Sequence, residues 1–208
     1  MKRLPLLLYC GMAGAAHLWA QADPVSNSLL PAPSVAEKWN LFESETFTPF
    51  TPAAGAFNAA VSQFTNSTPM FGRKFWPAYP ERLGASVGDI MSQNFFGDFV
   101  LASALHEDTR YRRMGEGHGL WTRVGYAISR SVITHSDAGQ PTFNASNVAG
   151  AAMSAALSNA YYPPASRTAS AAAINWVTSV AGSGFANLLP EFWPDVHAWI
   201  RRRLRSER

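Results

Sequence analysis

The sequence predicts an all-α protein: a bundle of about four to five helices that follows a mostly irregular N-terminal arm rich in proline and aromatic residues. Three observations favour this fold class. Apolar residues recur at helical spacing from residue 83 onward, no segment alternates polar and apolar residues over the length of a strand, and eight of the 14 prolines fall between residues 23 and 80. With 208 residues, 47% of them hydrophobic, the chain is long enough for one domain with a substantial core.

The first 22 residues have the pattern of a cleaved secretory signal peptide. Lys2 and Arg3 form a positive start, residues 4–16 are uncharged and mainly apolar, and Ala20 and Ala22 form a small-x-small cleavage site. A membrane anchor is the weaker alternative, because the apolar run is shorter than the ~20 residues needed to cross a bilayer. We therefore predict export, to the periplasm or the outer envelope.

Removal of this segment would change the chemistry available to the mature chain. It takes away Cys10, the one cysteine, so that no disulfide, thiol nucleophile or cysteine metal site would remain. Lipid attachment at Cys10 is a minor alternative. Two of the 17 basic residues and none of the 14 acidic residues lie in the segment, which leaves 15 and 14. A near-neutral exported chain is not expected to bind nucleic acid.

Residues 23–80 are predicted to form the extended arm, because their prolines prevent a long helix through most of it. Residues 55–64 are the best candidate for a short helical piece. The many aromatic residues argue against a disordered linker, which would lack them. We expect the arm to pack onto the helical domain.

The helical domain is expected to span residues 81–200, with a basic tail at residues 201–208. The predicted helices cover residues 83–106, 120–133, 147–161 and 168–189, and a last one begins near Pro194 and Asp195. We expect Asn144 or Ser146 to cap the third helix.

The third and fourth predicted helices carry small residues and almost no charge. Gly150, Ser154 and Ser158 recur every four residues, and Arg167 is the one formal charge between residues 138 and 189. Such stripes let helix backbones approach closely, in soluble bundles or in a membrane. The content of Ser, Asn and Thr favours a buried soluble pair, with insertion of a helical hairpin into a membrane as the alternative.

The densest group of ionisable residues lies at residues 105–113, LHEDTRYRR. His106, Glu107 and Asp108 are candidate catalytic residues, although no metal site is predicted because HExxH-type spacing is absent. The alternative places this segment on a helix, where Glu107–Arg110 and Asp108–Arg112 would be surface ion pairs of ~0.3–0.5 kcal/mol each. Tyr111, together with these arginines, is a candidate binding site for a phosphate or an acidic glycan.

Two other groups are weaker candidates. His135 and Asp137 belong to the residue types of a hydrolase triad, but no GxSxG motif presents a nucleophile, and Asp137 also fits a turn. Tyr161 and Tyr162 could form a ligand-stacking edge, or could pack into the corner between two helices with their hydroxyls at the surface.

The C-terminal segment combines tryptophan with arginine. Arg201, Arg202, Arg203 and Arg205 follow Trp193 and Trp199, a composition that could contact acidic lipid head groups. A membrane surface or another envelope component is therefore a possible partner.

The motifs LHEDxRY, YAxSR, HSDAGxxxFN, SNAYYPP and EFWPD occur in this order between about residues 71 and 196. In this the chain resembles a family of small exported proteins of the Gram-negative bacterial envelope. The resemblance implies an envelope location and a helical body. It implies no activity, cofactor or catalytic residue, and it does not extend to the N-terminal arm.

Taken together, the sequence favours an exported, non-catalytic envelope protein without a cofactor, acting as a scaffold or binding an unknown ligand. One alternative is a membrane-inserting or membrane-associated protein with a helical hairpin. The other is a hydrolase or metalloenzyme centred on the HED cluster, His106 to Asp108.

Overall fold

The structure is a computed structural model that describes residues 31–206. The predicted signal peptide and Cys10 lie outside the described residues. The prediction of an all-α fold is confirmed, because seven helices account for most of the described part of the chain.

Two helices occupy the segment predicted as the arm. Helix α1, Val35–Thr46, begins at a reciprocal cap in which Ser34 Oγ accepts from the Glu37 amide and the Glu37 carboxylate accepts from the Ser34 amide. Helix α2, Phe50–Thr65, contains the whole of the predicted piece 55–64. This region is more helical than expected because Pro52 falls in the first turn of α2, where no amide donor is needed.

The long helix predicted for residues 83–106 begins earlier. Helix α3, Phe75–Asn94, continues without a break into a π-helical segment, Phe95–Leu101, and a last turn, Ala102–Ala104. It ends close to the predicted residue, and His106 follows with a φ of 55°.

A small antiparallel sheet follows, which the sequence did not predict. Strand β1, Glu107–Asp108, pairs with β2, Ile133–Ser136, which in turn pairs with β3, Pro141–Phe143. The strands have only two to four residues, too few for a visible alternation of polar and apolar side chains. Helix α4, Leu120–Ser129, ends before residue 133 because that residue belongs to β2.

The remaining helices lie close to their predicted positions, with one exception. Helix α5, Ala145–Leu157, is capped by Asn144, and α6, Ala169–Ala186, is capped by Thr168. Short 3-10 turns, Ser158–Ala160 and Pro164–Ser166, connect them. Helix α7, Leu188–Ser206, begins six residues before Pro194, which lies inside it, and continues through the segment predicted as a tail.

Small residues make the closest helix contacts. Ala59, Ala102, Ala127 and Ala151 are fully buried. At Gly150 of α5, a Cβ atom would lie 2.6 Å from the backbone nitrogen of Gly97 in the π-helical segment. The two backbones therefore touch, as the small-residue pattern of α5 predicts. Among residues 31–206, no helix combines the length and the apolar character required to cross a bilayer.

Candidate functional site

The Glu107 carboxylate binds the first amides of helix α5. It accepts hydrogen bonds from the amides of Ala145 at 3.3 Å and Ser146 at 3.0 Å, and the Glu107 side chain is buried. A carboxylate at this place satisfies amides that have no partner within α5 and complements the positive end of the helix dipole. The predicted surface pair with Arg110 is therefore wrong, because β1 replaces the expected helix.

Asp108 joins two arginines on the inside of the protein. Its oxygens lie 2.8 Å from Arg110 Nε and 3.0 Å from Arg112 Nη2, and the residue is 1% exposed. Burial opposes ionisation of Asp108, but the hydrogen bonds from both arginines outweigh it and hold its pKa below the ordinary value. The pairing with Arg112 was predicted, but its location was wrong: the pair is buried and lies outside any helix.

The two histidines and Asp137 differ in their surroundings. His106 is 82% exposed, with Nδ1 3.6 Å from an oxygen of Asp137. Asp137 also accepts from the buried Lys38 at 2.9 Å, which ties the turn after β2 to α1. Burial, with the charges of Arg112 and Arg130, lowers the pKa of His135 to about 4. His135 is also the cross-strand partner of Asp108. Two of the candidates, His106 and Asp137, thus contact each other, whereas Glu107 binds the start of α5. The described residues include no group of three or more His, Cys, Asp or Glu that could hold a metal ion.

A second buried ionic cluster centres on Glu191, a residue that the sequence analysis did not single out. Its carboxylate accepts from Arg123 Nε at 2.6 Å, the Tyr111 hydroxyl at 3.0 Å and the Met114 amide at 2.9 Å, and it is fully buried. Tyr111 is thus held inside the protein, and both burial and the charge of Glu191 raise its pKa. Arg113 and Arg123 extend the cluster to Asp195.

The two tyrosines of the SNAYYPP motif share one acceptor. The hydroxyls of Tyr161 and Tyr162 donate to the two oxygens of Asp89 at 2.6 Å and 2.5 Å. Burial raises the pKa of Asp89 to about 6, although these hydrogen bonds act in the opposite direction. The motif locks the end of α5 to α3, as the corner interpretation predicts. The Tyr161 hydrogen bond lies at the surface, whereas Tyr162 is buried, so the expected surface position of the hydroxyls is wrong for Tyr162 alone.

The basic and aromatic residues near the C-terminus lie on α7. Arg201, Arg202, Arg203 and Arg205 are exposed, and the Arg203 guanidinium lies 5.8 Å from the centre of the Trp199 ring. Trp193 packs instead on Phe50, with 6.0 Å between the ring centres, so that it joins α7 to α2.

The described part of the chain contains a cavity of about 1040 Å³. Its lining includes residues of α1, α2, α3, α6, β2 and the segment 109–113. This volume is sufficient for a small organic ligand. Among its polar atoms, Thr109 Oγ1 and Arg112 Nε are buried and have no hydrogen-bond partner.

Two carboxyl groups on the cavity wall have no donor. Glu45 lies on α1, Asp98 lies in the π-helical segment, and neither side chain accepts a hydrogen bond from a described residue. Burial raises the pKa of Asp98 to about 7. Burial, together with the neighbouring charge of Asp98, raises the pKa of Glu45. Burial thus disfavours the charged form of both groups, while both residues keep some contact with solvent.

The arginines that line the cavity already have partners within the protein. Arg110 and Arg112 bind Asp108, and Arg113 binds Asp195. Arg130 donates to the carbonyl of Ile133 at 2.6 Å and lies over an aromatic ring. Asp89 also lines the cavity, but two tyrosine hydroxyls donate to it. Glu45 and Asp98 are consequently the carboxyl groups of the described lining that have neither a donor nor a cation.

Sequence analysis missed the Glu45–Asp98 pair, since the two residues are far apart in the chain and neither belongs to a motif. The one available signal was Asp98, the single charged residue between positions 95 and 104, whereas Glu45 lies on a helix with three other charged residues. Comparisons with protein-family models, curated proteins and solved structures found no match to this chain.

Proposed function

We propose that this chain is an exported, non-catalytic binding protein of the bacterial envelope that takes a small amine-bearing ligand into its central cavity. The observation that carries the proposal is the Glu45–Asp98 pair: two carboxyl groups on the wall of a large cavity, without donors and without a compensating cation. The signal-peptide pattern of residues 1–22 and the family resemblance support the exported location.

A ligand ammonium group would relieve the electrostatic cost of this pair. Two carboxylates that share a site cannot both ionise easily, and a cation between them favours the charged form of each. The unpartnered Arg112 Nε and Thr109 Oγ1 would supply polar contacts for a second group of the same ligand. The non-catalytic character is supported by the two carboxylates of the HED cluster: Glu107 accepts from amides of α5 and Asp108 binds two arginines, so neither is free to act as a base.

Calorimetric titration with amines tests the binding site. Spermidine, choline and lysine are the probes, and succinate is the anionic control. At neutral pH we expect an amine to bind with release of protons, because the cation lowers the pKa of Asp98 from about 7. Proton release is measured by repeating the titration in buffers of different ionisation enthalpy.

Substitutions at the pair provide the matched comparison. Glu45→Gln and Asp98→Asn keep the shape of the cavity wall and remove one charge each, so each is expected to weaken amine binding about tenfold. Asp98→Asn should also reduce proton release, because it removes the group whose pKa is about 7. Glu43→Gln, at an exposed position of α1, is the control. Binding of amines that is equal in all four proteins, or no binding of any of the three amines, would refute the proposed site.

Cell fractionation with mass determination of the mature chain tests the location. The expected result is a chain that begins after Ala22 in an envelope fraction. An unprocessed chain in the cytosol would contradict export, whatever the outcome of the titrations.

A further inference from the structure

The end of the α2–α3 hairpin exposes large apolar side chains. Phe64 is 88% exposed at the end of α2, Trp76 is 74% exposed at the start of α3, and Met70 in the connecting loop is 48% exposed. Phe57, which precedes Phe64 on α2, is 70% exposed. We call Phe64, Met70, Arg73, Lys74 and Trp76 the hairpin tip.

A buried arginine holds the loop of this tip in one shape. Arg82 is fully buried, and its guanidinium donates to the carbonyls of Ser67 at 2.8 Å, Gly72 at 3.3 Å and also Pro69. It forms no ion pair with a described residue. Burial of a guanidinium is costly without partners, and here backbone carbonyls of one loop provide most of them. The loop is thereby organised before any binding event.

Two further contacts connect the loop to its surroundings. Gln63 Nε2 donates to the Arg73 carbonyl at 3.0 Å, which places Arg73 beside the end of α2. The amide of Met70 donates to Ser166 Oγ at 2.9 Å, in the turn before α6. The exposed apolar side chains thus belong to a segment that these hydrogen bonds hold in place.

The hairpin tip lies in a segment whose charged residues are all positive. Residues 47–80 contain no aspartate or glutamate, and the two charges that they contain are Arg73 and Lys74. Both side chains are exposed, and neither forms an ion pair with a described residue. Glu81, the next acidic residue along the chain, lies on α3 beyond Pro80.

We propose that the hairpin tip docks on the surface of an anionic phospholipid bilayer. Phe64, Met70 and Trp76 would enter the head-group region, where amphipathic and aromatic side chains are favoured, and Arg73 and Lys74 would bind lipid phosphates. The complementary charge is the reason for choosing a bilayer over a second copy of this chain, whose own tip would repel the first. This inference is independent of the cavity and of its ligand.

Flotation with lipid vesicles tests the inference on the full chain. The vesicles contain phosphatidylglycerol and phosphatidylcholine in equal parts, or phosphatidylcholine alone. We expect binding to the anionic vesicles that weakens with salt, and much weaker binding to the neutral ones. Arg73→Gln with Lys74→Gln should lower the affinity about 25-fold, since each charge near an anionic surface contributes a factor of about five.

Variants of the apolar side chains separate insertion from charge attraction alone. Phe64→Ser with Trp76→Ser should release the chain from the vesicles, whereas Trp121→Ser, at a residue that is 81% exposed on α4, should not. Unchanged thermal unfolding would show that the variants fold.

Three results would overturn the inference: equal affinity for neutral vesicles, no effect of the tip variants, or release by Trp199→Ser with Arg201→Gln on α7 and not by the tip variants. A dimer in sedimentation velocity that Phe64→Ser makes monomeric, without vesicle binding, would assign the tip to a second copy of the chain instead.

Discussion

Arg123 of α4 and Glu191 of α7 form a buried ion pair, with 2.6 Å between Nε and Oε1. The Arg123 guanidinium also lies 4.4 Å from the centre of the Phe192 ring and reaches Asp195. The pair thus connects elements that are 68 residues apart in the chain. Its geometry leads to the first of four predictions.

Removing the charge of Glu191 should destabilise the fold. Breaking one partner of a buried pair leaves an uncompensated charge, and Glu191→Gln should lower the free energy of unfolding by ~3 kcal/mol. Urea denaturation measures this change. Glu43→Gln, an exposed acidic position, should alter it by less than ~0.5 kcal/mol; similar losses in both variants would contradict a special role for Glu191.

The contact between α5 and the π-helical segment should not tolerate a methyl group. In Gly150→Ala the added carbon would meet backbone atoms of Gly97 at 2.6 Å and 2.7 Å, which cannot move aside as a side chain can. We expect a loss of ~1–3 kcal/mol from overpacking. The control is Gly125→Ala in α4, where nothing lies within 4 Å and a gain of ~0.5–1 kcal/mol is expected.

The stability of the chain should fall as the pH rises through the range of Asp98. The pKa of this group is about 7 in the folded protein and near 4 when unfolded, so the folded state binds more protons between these values. Asp98→Asn should therefore be more stable than the parent at pH 8, and the difference should vanish near pH 4. Chemical denaturation at both pH values measures it, and a lower stability of the variant at pH 8 would contradict the assignment.

His135 should stay neutral throughout the physiological range. Its pKa is about 4 in the folded protein, against ~6.5 in an unfolded chain, so its contribution to stability is lost as the pH falls from about 6.5 toward 4. The chemical shifts of the imidazole protons, followed by NMR, report the titration. A midpoint near 6.5 would show that burial and the arginines do not act on this ring as described.

Much of the helical framework could be predicted from local patterns. The apolar spacing that predicted the helices of residues 83–106 and 168–189, and the cap at Asn144, depend on residues within a few positions of one another. The arm is more helical than predicted, because Pro52 lies in the first turn of α2, where a proline removes no hydrogen bond of the helix. The strands were missed because a ladder of two to four residues leaves no periodic signal.

The candidate site depended on pairings that no local pattern contains. Glu107 and Asp108 are adjacent in sequence, yet one caps α5 and the other binds two arginines, since successive residues of a strand point to opposite faces. Glu45 and Asp98 meet only because α1 packs against the π-helical segment.

By itself, the sequence determined the fold class and most helix positions, because hydrogen bonding within a helix and the spacing of its apolar residues are local properties. The tertiary structure alone decided which charges are buried, which partners they have and where the cavity lies. The physical reason is that desolvation and ion pairing depend on distances in space, and ionic partners in this protein are separated by up to 99 positions, as Lys38 and Asp137 are.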